Sequence, residues 1–229
     1  KSPMNYIGNK YRLLEQIIPL LPHSDNFVDL FAGGLDVSIN YKAKQIFCND
    51  INYHLIEIYK AFQTIEYADL IEKFEQIITE FDLNKTNTSG YIKFREHYNS
   101  SADKDPLELY LLMNYGFNYQ LRFNSKHEFN NPFGRNRSSF NNAIRHRLTT
   151  FMTIIKEYKF SSCDFREFDF SVLKNGDLIY CDPPYTISIG SYNDGKRGFN
   201  GWHEQDDIDL IEILDALSER GVRFALSNV

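Results

Sequence analysis

The sequence of 229 residues is 42% hydrophobic and 15% aromatic, which predicts a packed core and excludes a disordered chain. This length fits one domain, or one domain that carries a sizeable insertion. The chain has no run of about 18 apolar residues and opens on no signal peptide, so we expect a soluble, cytoplasmic protein without a membrane partner. Cys48, Cys163 and Cys181 are too few and too scattered for a disulfide framework or a zinc site, and we expect no metal.

The net charge of -6 argues weakly against a nucleic-acid partner, but the distribution of charge argues for one. The segment between Tyr115 and Thr150 contains six basic residues and only one acidic residue, Glu128. The basic residues are Arg122, Lys126, Arg135, Arg137, Arg145 and Arg147; the aromatic residues among them are Phe117, Tyr119, Phe123, Phe129 and Phe133. A charge run is often only a solvated face. Wedging rings, base-reading amides and phosphate-binding arginines together are typical of a DNA surface.

In chain order, apolar spacing first predicts a helix interrupted near Pro19. The run Phe27–Phe31 predicts a buried strand that ends in a glycine turn at Gly33-Gly34. A short helix over 35–43 and a second strand, "QIFCND", ending in Asp50, should follow. This succession predicts the opening of a Rossmann-like sheet.

The rest of the chain alternates between the two periodicities. The predicted elements are helices through 53–147, broken by a hairpin or extended loop over 118–142; a returning helix over 143–158; a strand near 160; a strand over 178–181; an irregular loop over 187–202; a helix over 204–219; and a strand over 222–228. A helical, basic insertion therefore interrupts an α/β core.

The glycine turn and Asp50 form the first candidate site. The turn "DLFAGG" lets the backbone approach a ligand closely, although such turns also carry glycine for geometry alone. It lacks the full G-x-G-x-x-G spacing, which disfavours a pyrophosphate-binding dinucleotide site. Asp50 can accept hydrogen bonds from both ribose hydroxyls, or can simply cap the strand end. Together the two features favour an adenosine-type ligand.

The second candidate site is "DPPY", Asp182, Pro183, Pro184 and Tyr185. A rigid strand-ending turn accounts for one proline but not for its neighbours. Two prolines stiffen the loop and remove N–H groups, so carbonyl acceptors are displayed beside the Asp182 carboxylate. Acceptors at Asp182 and at the Pro183 carbonyl can take both hydrogens of an exocyclic amine and favour the pyramidal nitrogen that attacks. Tyr185 can stack on a base turned out of a duplex.

These motifs, in this order, resemble the Dam-type DNA adenine-N6 methyltransferases, the α-class or D12 family. The matching segments are "YIGNK", "DLFAGG", "ND" at Asp50, "GFNYQLRFNSKHEFNNPFGR", "DPPY" and "LSN". The resemblance runs over nearly the whole chain, and the insertion segment is its most specific part because no general structural reason makes it recur.

The resemblance implies an α/β fold, a class I S-adenosylmethionine-dependent methyltransferase sheet with a mainly helical target-recognition domain inserted after the second strand. Residues 1–52 and 148–229 would form the catalytic domain and residues 53–147 the recognition domain. The implied cofactor is S-adenosyl-L-methionine. Its predicted binding residues are Tyr6, Lys10, Asp29, Phe31, Gly33, Asp50 and Asp182.

The implied substrate is double-stranded DNA, methylated at adenine N6 by base flipping and direct in-line transfer. The predicted DNA-binding residues are Phe117, Asn118, Gln120, Arg122, Asn124, Lys126, Pro132, Arg135 and Arg137. Arg122 corresponds to an arginine that recognises a guanine, consistent with its fit to guanine O6 and N7, and the family's commonest site is GATC. The implied setting is the cytoplasm of a bacterial or phage-infected cell, with restriction-modification among the roles.

Departures from the family leave alternatives open. Gln120 stands where an aliphatic residue is common and Asn136 where a tyrosine is common, which bears on the recognition sequence. The family continues past "VRFALSN" into two more strands, so we expect C-terminal strands to be missing, with an exposed sheet edge. The alternatives are a cytosine-N4 DNA methyltransferase, a catalytically inactive DNA-binding module, and an RNA or protein amine methyltransferase.

Overall fold

The structure, a computed structural model, describes residues 1–6, 8–184, 193–194 and 201–227, with 193–194 described as backbone only. Its centre is a sheet of five parallel strands in the order β4-β2-β1-β5-β7. These strands are β1 (Asn26–Asp29), β2 (Gln45–Asn49), β4 (Lys159–Ser161), β5 (Leu178–Cys181) and β7 (Arg223–Leu226). A second, two-stranded sheet pairs β3 (Arg122–Phe123) with β6 (Asn193–Asp194) in parallel.

The strand order reverses direction at β1. The chain runs outward from β1 through β2 to β4, and then returns to the other side of β1 with β5 and β7. At such a switch point the connections leave in opposite directions, which opens a crevice at the carboxyl ends of the two central strands. The residues that follow β1 and β5 therefore border the expected ligand site.

Seven α-helices belong to the described residues. They are α1 (Leu14–Ile17), α2 (Tyr53–Thr64), α3 (Tyr67–Glu80), α4 (Thr88–Ser100), α5 (Pro106–Tyr115), α6 (Asn142–Ile155) and α7 (Glu204–Glu219). Single 3₁₀ turns occur at Tyr11–Leu13, Ile18–Leu20, Ser38–Asn40, Phe117–Tyr119, Phe165–Glu167 and Phe170–Val172. Within these residues no helix is both long and apolar enough to cross a membrane.

The sheet is buried on both faces because side chains alternate along each strand. On β5, Leu178 and Tyr180 join the core that includes α2, α5 and α6, whereas Ile179 and Cys181 join the core beneath α7. The first core continues without a break into α3 and α4 of the insertion. The insertion thus shares its hydrophobic interior with the sheet, which fixes its position relative to the strand ends.

Most predicted elements are confirmed, but one predicted helix and the end of one predicted strand are wrong. The predicted helix over 35–43 is wrong, because only the single turn Ser38–Asn40 forms there. Leu35 has a positive φ of 63°, and Asp36 and Ser38 make hydrogen bonds to Ser2 and Asp29 respectively. Such side-chain bonds compete with helix formation. The first strand also ends at Asp29 rather than Phe31.

Candidate active site

Three carboxylates lie at the carboxyl edge of the sheet. Asp29 is the last residue of β1, Asp50 follows β2 directly, and Asp182 follows β5 directly. All three were predicted from sequence as cofactor-binding residues, and parallel pairing of β2, β1 and β5 places them along one edge. A cluster of negative groups at a strand edge is suited to a ligand that carries positive charge and hydroxyl donors.

Asp29 is the most buried of the three. Its Oδ2 accepts a 2.5 Å hydrogen bond from Ser38 Oγ, while its buried Oδ1 makes no hydrogen bond to the described residues. Burial raises the pKa of Asp29, the charges of Asp182 and Asp50 add to this increase, and the Ser38 hydrogen bond and the Lys10 charge oppose it; the resulting pKa is about 7. A buried oxygen with spare capacity can accept a hydrogen bond from a bound ligand or from water.

Asp50 is held by backbone N–H groups. Its Oδ2 accepts from Gly33 N at 2.9 Å and its Oδ1 from Asn52 N at 2.8 Å. Burial raises its pKa, and these two hydrogen bonds oppose the increase. On the far side of the glycine turn, the buried Tyr59 hydroxyl donates to Gly33 O at 2.6 Å. The turn and the carboxylate are therefore locked as one unit.

Glycine is required at position 33. Gly33 has a φ of +45°, and a Cβ there would lie 3.3 Å from the ring of Tyr6. The Tyr6 ring thus covers the glycine turn, and its hydroxyl accepts a 3.2 Å hydrogen bond from Asn52 Nδ2. Tyr6 and Gly33, two of the predicted cofactor-binding residues, therefore lie next to Asp50 at the carboxyl edge of the sheet.

Lys10 lies beside the "DPPY" segment. Its Nζ is 2.6 Å from Asp182 Oδ2, and the two side chains are only 13% and 16% exposed. This ion pair joins the N-terminal segment to the end of β5. Pro183 is buried and Pro184 half-buried, whereas Tyr185, predicted to stack on the target base, lies outside the described residues.

Phe31 belongs to an aromatic cluster next to this edge. Its ring centroid lies 5.6 Å from that of Phe165 and 5.5 Å from that of Trp202. The Arg166 guanidinium lies 4.4 Å over the Phe165 ring and also bonds acids of α7 and of the loop after β4. These hydrogen bonds raise the pKa of Arg166. The cluster ties α7 to the end of β4.

The predicted DNA-binding residues lie in two adjoining segments of the insertion. Phe117 is 42% exposed, although its backbone is fixed by hydrogen bonds from Phe117 N to Pro132 O at 2.7 Å and from Asn131 Nδ2 to Phe117 O at 3.0 Å. Asn118 and Tyr119 have φ angles of 52° and 57°. An exposed ring therefore extends from a backbone that is fixed by hydrogen bonds, and two residues in a conformation that L residues rarely adopt follow it.

A hairpin over 122–130 follows. It is closed by Asn130 N to Arg122 O at 2.9 Å and by Asn124 N to Glu128 O at 3.0 Å. Asn124 uses its side chain within the turn, accepting from Lys126 N and Glu128 N. The exposed members of the predicted set are Phe117, Asn118, Arg122, Lys126, Pro132, Arg135 and Arg137, and Gln120 is half-buried.

Sequence reasoning missed residues that support the site from α2 and its N-cap. Asn52 and Tyr59 hold Asp50 and the glycine turn, and His54 stacks on Phe123 of the hairpin. Asn52 could have been found, because asparagine before a helical run is typical of an N-cap. Tyr59 and His54 gave no signal beyond helical periodicity. No group of three or more His, Cys, Asp or Glu side chains with metal-binding geometry occurs within the described ranges.

The fold and this edge define a Rossmann-like methyltransferase of the class I type. Over residues 6–229 the chain matches the sequence model of the D12 class N6 adenine-specific DNA methyltransferases, and it belongs to that family. It is also 30% identical over 232 residues to the DNA adenine methylase of Escherichia coli strain K12, covering 98% of this chain and 79% of that protein.

Two further relatives are much longer than this chain. It is 49% identical to modification methylase StsI of Streptococcus sanguinis and 47% identical to type II methyltransferase M.FokI of Planomicrobium okeanokoites, each over 232 residues. The matches cover 100% of this chain but only 35% and 36% of those proteins. The chain therefore spans about a third of their length.

Proposed function

We propose that this chain methylates adenine N6 in a short sequence of double-stranded DNA, with S-adenosyl-L-methionine as the cofactor. The observation that carries the proposal is the Asp182 carboxylate, followed by two prolines, at the switch point of the sheet beside Asp29 and Asp50. Relatives named as DNA adenine methylase and as modification methylases support the substrate and a restriction-modification role in bacteria. Residues 53–147 would serve as the recognition part and the remainder as the catalytic part.

The residues present suit the cofactor. Asp50, fixed by two backbone N–H groups, keeps lone pairs for ribose hydroxyls. The buried Asp29 oxygen can accept a hydrogen bond from the cofactor, and the Tyr6 ring covers the turn at Gly33. Lys10 can pair with the carboxylate of the cofactor. When bound, S-adenosylmethionine would supply a methyl group on a positively charged sulfur, which an amine nitrogen can attack directly.

Asp182 prepares the target nitrogen. Its carboxylate and the Pro183 carbonyl accept the two N–H hydrogens of adenine, so the nitrogen lone pair withdraws from the ring and becomes nucleophilic. The proton released after attack passes to solvent, and Asp182 need not be a formal base. Catalysis on this account is positioning plus hydrogen-bond polarisation.

The insertion delivers the base. The exposed Phe117 ring can enter the duplex where the adenine leaves it, and Tyr185 can stack on the flipped base. Arg122 can bind a guanine through O6 and N7, while Lys126, Arg135 and Arg137 are exposed for phosphate contacts. On this proposal Arg122 of the hairpin determines sequence specificity, and the other exposed basic residues attract the DNA phosphates.

Asp182→Ala tests the assignment. We expect labelled methyl transfer to unmethylated genomic DNA to fall by about 100-fold or more, by analogy with the removal of one preorganised transition-state partner, while DNA binding in a mobility-shift assay stays near wild type. Asp215→Ala, at an exposed position of α7, is the matched control. Substantial turnover by the Asp182 variant would contradict the proposed role.

Cytosine-N4 transfer uses the same amine chemistry, and product identification separates it from adenine-N6 transfer. The family description and the relatives' names favour adenine. An inactive DNA-binding module would bind DNA without transferring a methyl group.

A further inference from the structure

We propose that His54 is a positioning residue for target recognition, fixing the hairpin that carries Arg122 against the helix that borders the cofactor edge. The inference rests on the proposed function and deepens it. Nothing in the sequence pattern of α2 distinguishes this histidine, and its role follows from where its ring lies.

The rings of His54 and Phe123 are stacked face to face. Their centroids are 4.0 Å apart and their planes differ by 11°. Phe123 is only 1% exposed, and its ring also meets that of Phe129 edge-on, with centroids 5.7 Å apart. Phe123 is thus held between its own hairpin partner and a ring from α2.

Arg122 is adjacent to Phe123 on β3, and consecutive strand residues point to opposite sides. Accordingly Phe123 is buried and Arg122 is exposed. Because both side chains share one short stretch of backbone, the stack that fixes Phe123 also fixes the point from which Arg122 extends. The turn beyond it is rigid through the Asn124 hydrogen bonds.

The other end of the stack is anchored at the cofactor edge. His54 is in the first turn of α2, whose cap residue Asn52 bonds Asp50 and Tyr6. The ring pair therefore links the segment proposed to recognise bases with the segment proposed to hold the cofactor. A bidentate arginine–guanine contact needs close geometric control, whereas phosphate attraction needs only charge. A loosened hairpin should lose discrimination first.

The test compares His54→Leu, which fills the space without a flat ring, with His54→Phe, which keeps the ring. His146→Leu, at an exposed position of α6, is the control. Each protein methylates unmethylated genomic DNA, and N6-methyladenine is mapped to give the ratio of target to near-target sites. We expect His54→Leu to lower this ratio by about 3- to 10-fold, the range of an aromatic pair, with His54→Phe and the control close to wild type.

Binding of S-adenosylhomocysteine, followed by the fluorescence of the single tryptophan, Trp202, separates positioning from damage to α2. We expect its affinity to be unchanged in His54→Leu. Unchanged selectivity in that variant, equal losses in the Leu and Phe variants, or a matching loss of S-adenosylhomocysteine affinity would each overturn the inference. Absence of N6-methyladenine with the wild-type protein would instead overturn the proposed function, and this inference with it.

Discussion

Asp29→Asn should remove a pH dependence of stability that the wild-type protein carries. The pKa of Asp29 is about 7 in the folded chain against an ordinary value of 3.8. Because the folded pKa is the higher one, the folded state binds the proton more tightly. The stabilisation is complete below pH 3.8 and is lost as the pH rises through 7. The difference in pKa corresponds to about 4 kcal/mol, of which roughly 2 to 3 kcal/mol falls between pH 5 and pH 8.

The assay is urea unfolding of the ligand-free wild-type and Asp29→Asn proteins at pH 5, 6, 7 and 8. Since titrating groups that do not interact with Asp29 cancel in the comparison, the free energy of unfolding of wild type minus that of the variant should fall with rising pH by roughly 2 to 3 kcal/mol. Asparagine can still accept the Ser38 hydrogen bond. Asp25→Asn is the control, because the Lys44 hydrogen bond lowers the pKa of Asp25, so that group stays ionised throughout this window. Parallel curves for wild type and Asp29→Asn would refute the reasoning.

Three further predictions concern the glycine turn and the insertion. Arg122→Lys keeps the charge but loses the two-pronged guanidinium contact, so discrimination at one guanine should fall by about 1–3 kcal/mol. Arg137→Ala should instead weaken binding to all DNA sequences evenly and reduce the slope of log K against log salt concentration by about 1. Equal effects of the two variants on specificity would contradict this division. Tyr59→Phe leaves the half-buried Gly33 carbonyl without its hydroxyl donor. The substitution should cost about 1–2 kcal/mol of unfolding free energy and weaken S-adenosylhomocysteine binding; an unchanged affinity for S-adenosylhomocysteine would count against the role of the turn. Phe117→Ala should leave the melting temperature unchanged because the ring is exposed. It should reduce the fluorescence of 2-aminopurine at the target position, which reports flipping of that base; fluorescence equal to that with wild type would exclude a role of Phe117 as a wedge.

The sequence predicted those elements whose local chemistry agrees with their packing. The strand Leu178–Cys181 and the helix Glu204–Glu219 were predicted with their observed bounds. The two prolines end the apolar run of the strand, and the acids favour the first turn of the helix at the position where it begins. The segment 35–43 shows the opposite case. Its apolar residues are consistent with a helix, but the hydrogen bonds of Asp36 and Ser38 to distant partners determine its form.

The same distinction applies to the site. Asp50 and the glycine turn could be predicted because strand ends of a parallel sheet share one edge. The contributions of His54 and Tyr59 could not, because a helical pattern specifies which side chains are buried but not which hairpin or turn they meet. Asn124 is ambiguous in sequence for a related reason: an asparagine in a loop can contact a base or bond its own turn, and here its side chain bonds the turn.

The central claim is most directly tested by transfer of a labelled methyl group from S-adenosylmethionine to unmethylated genomic DNA, followed by digestion to nucleosides. The account predicts label in N6-methyladenine alone, at adenines within one short sequence that contains a guanine. Label in N4-methylcytosine, or DNA that is bound but carries no label, would contradict it.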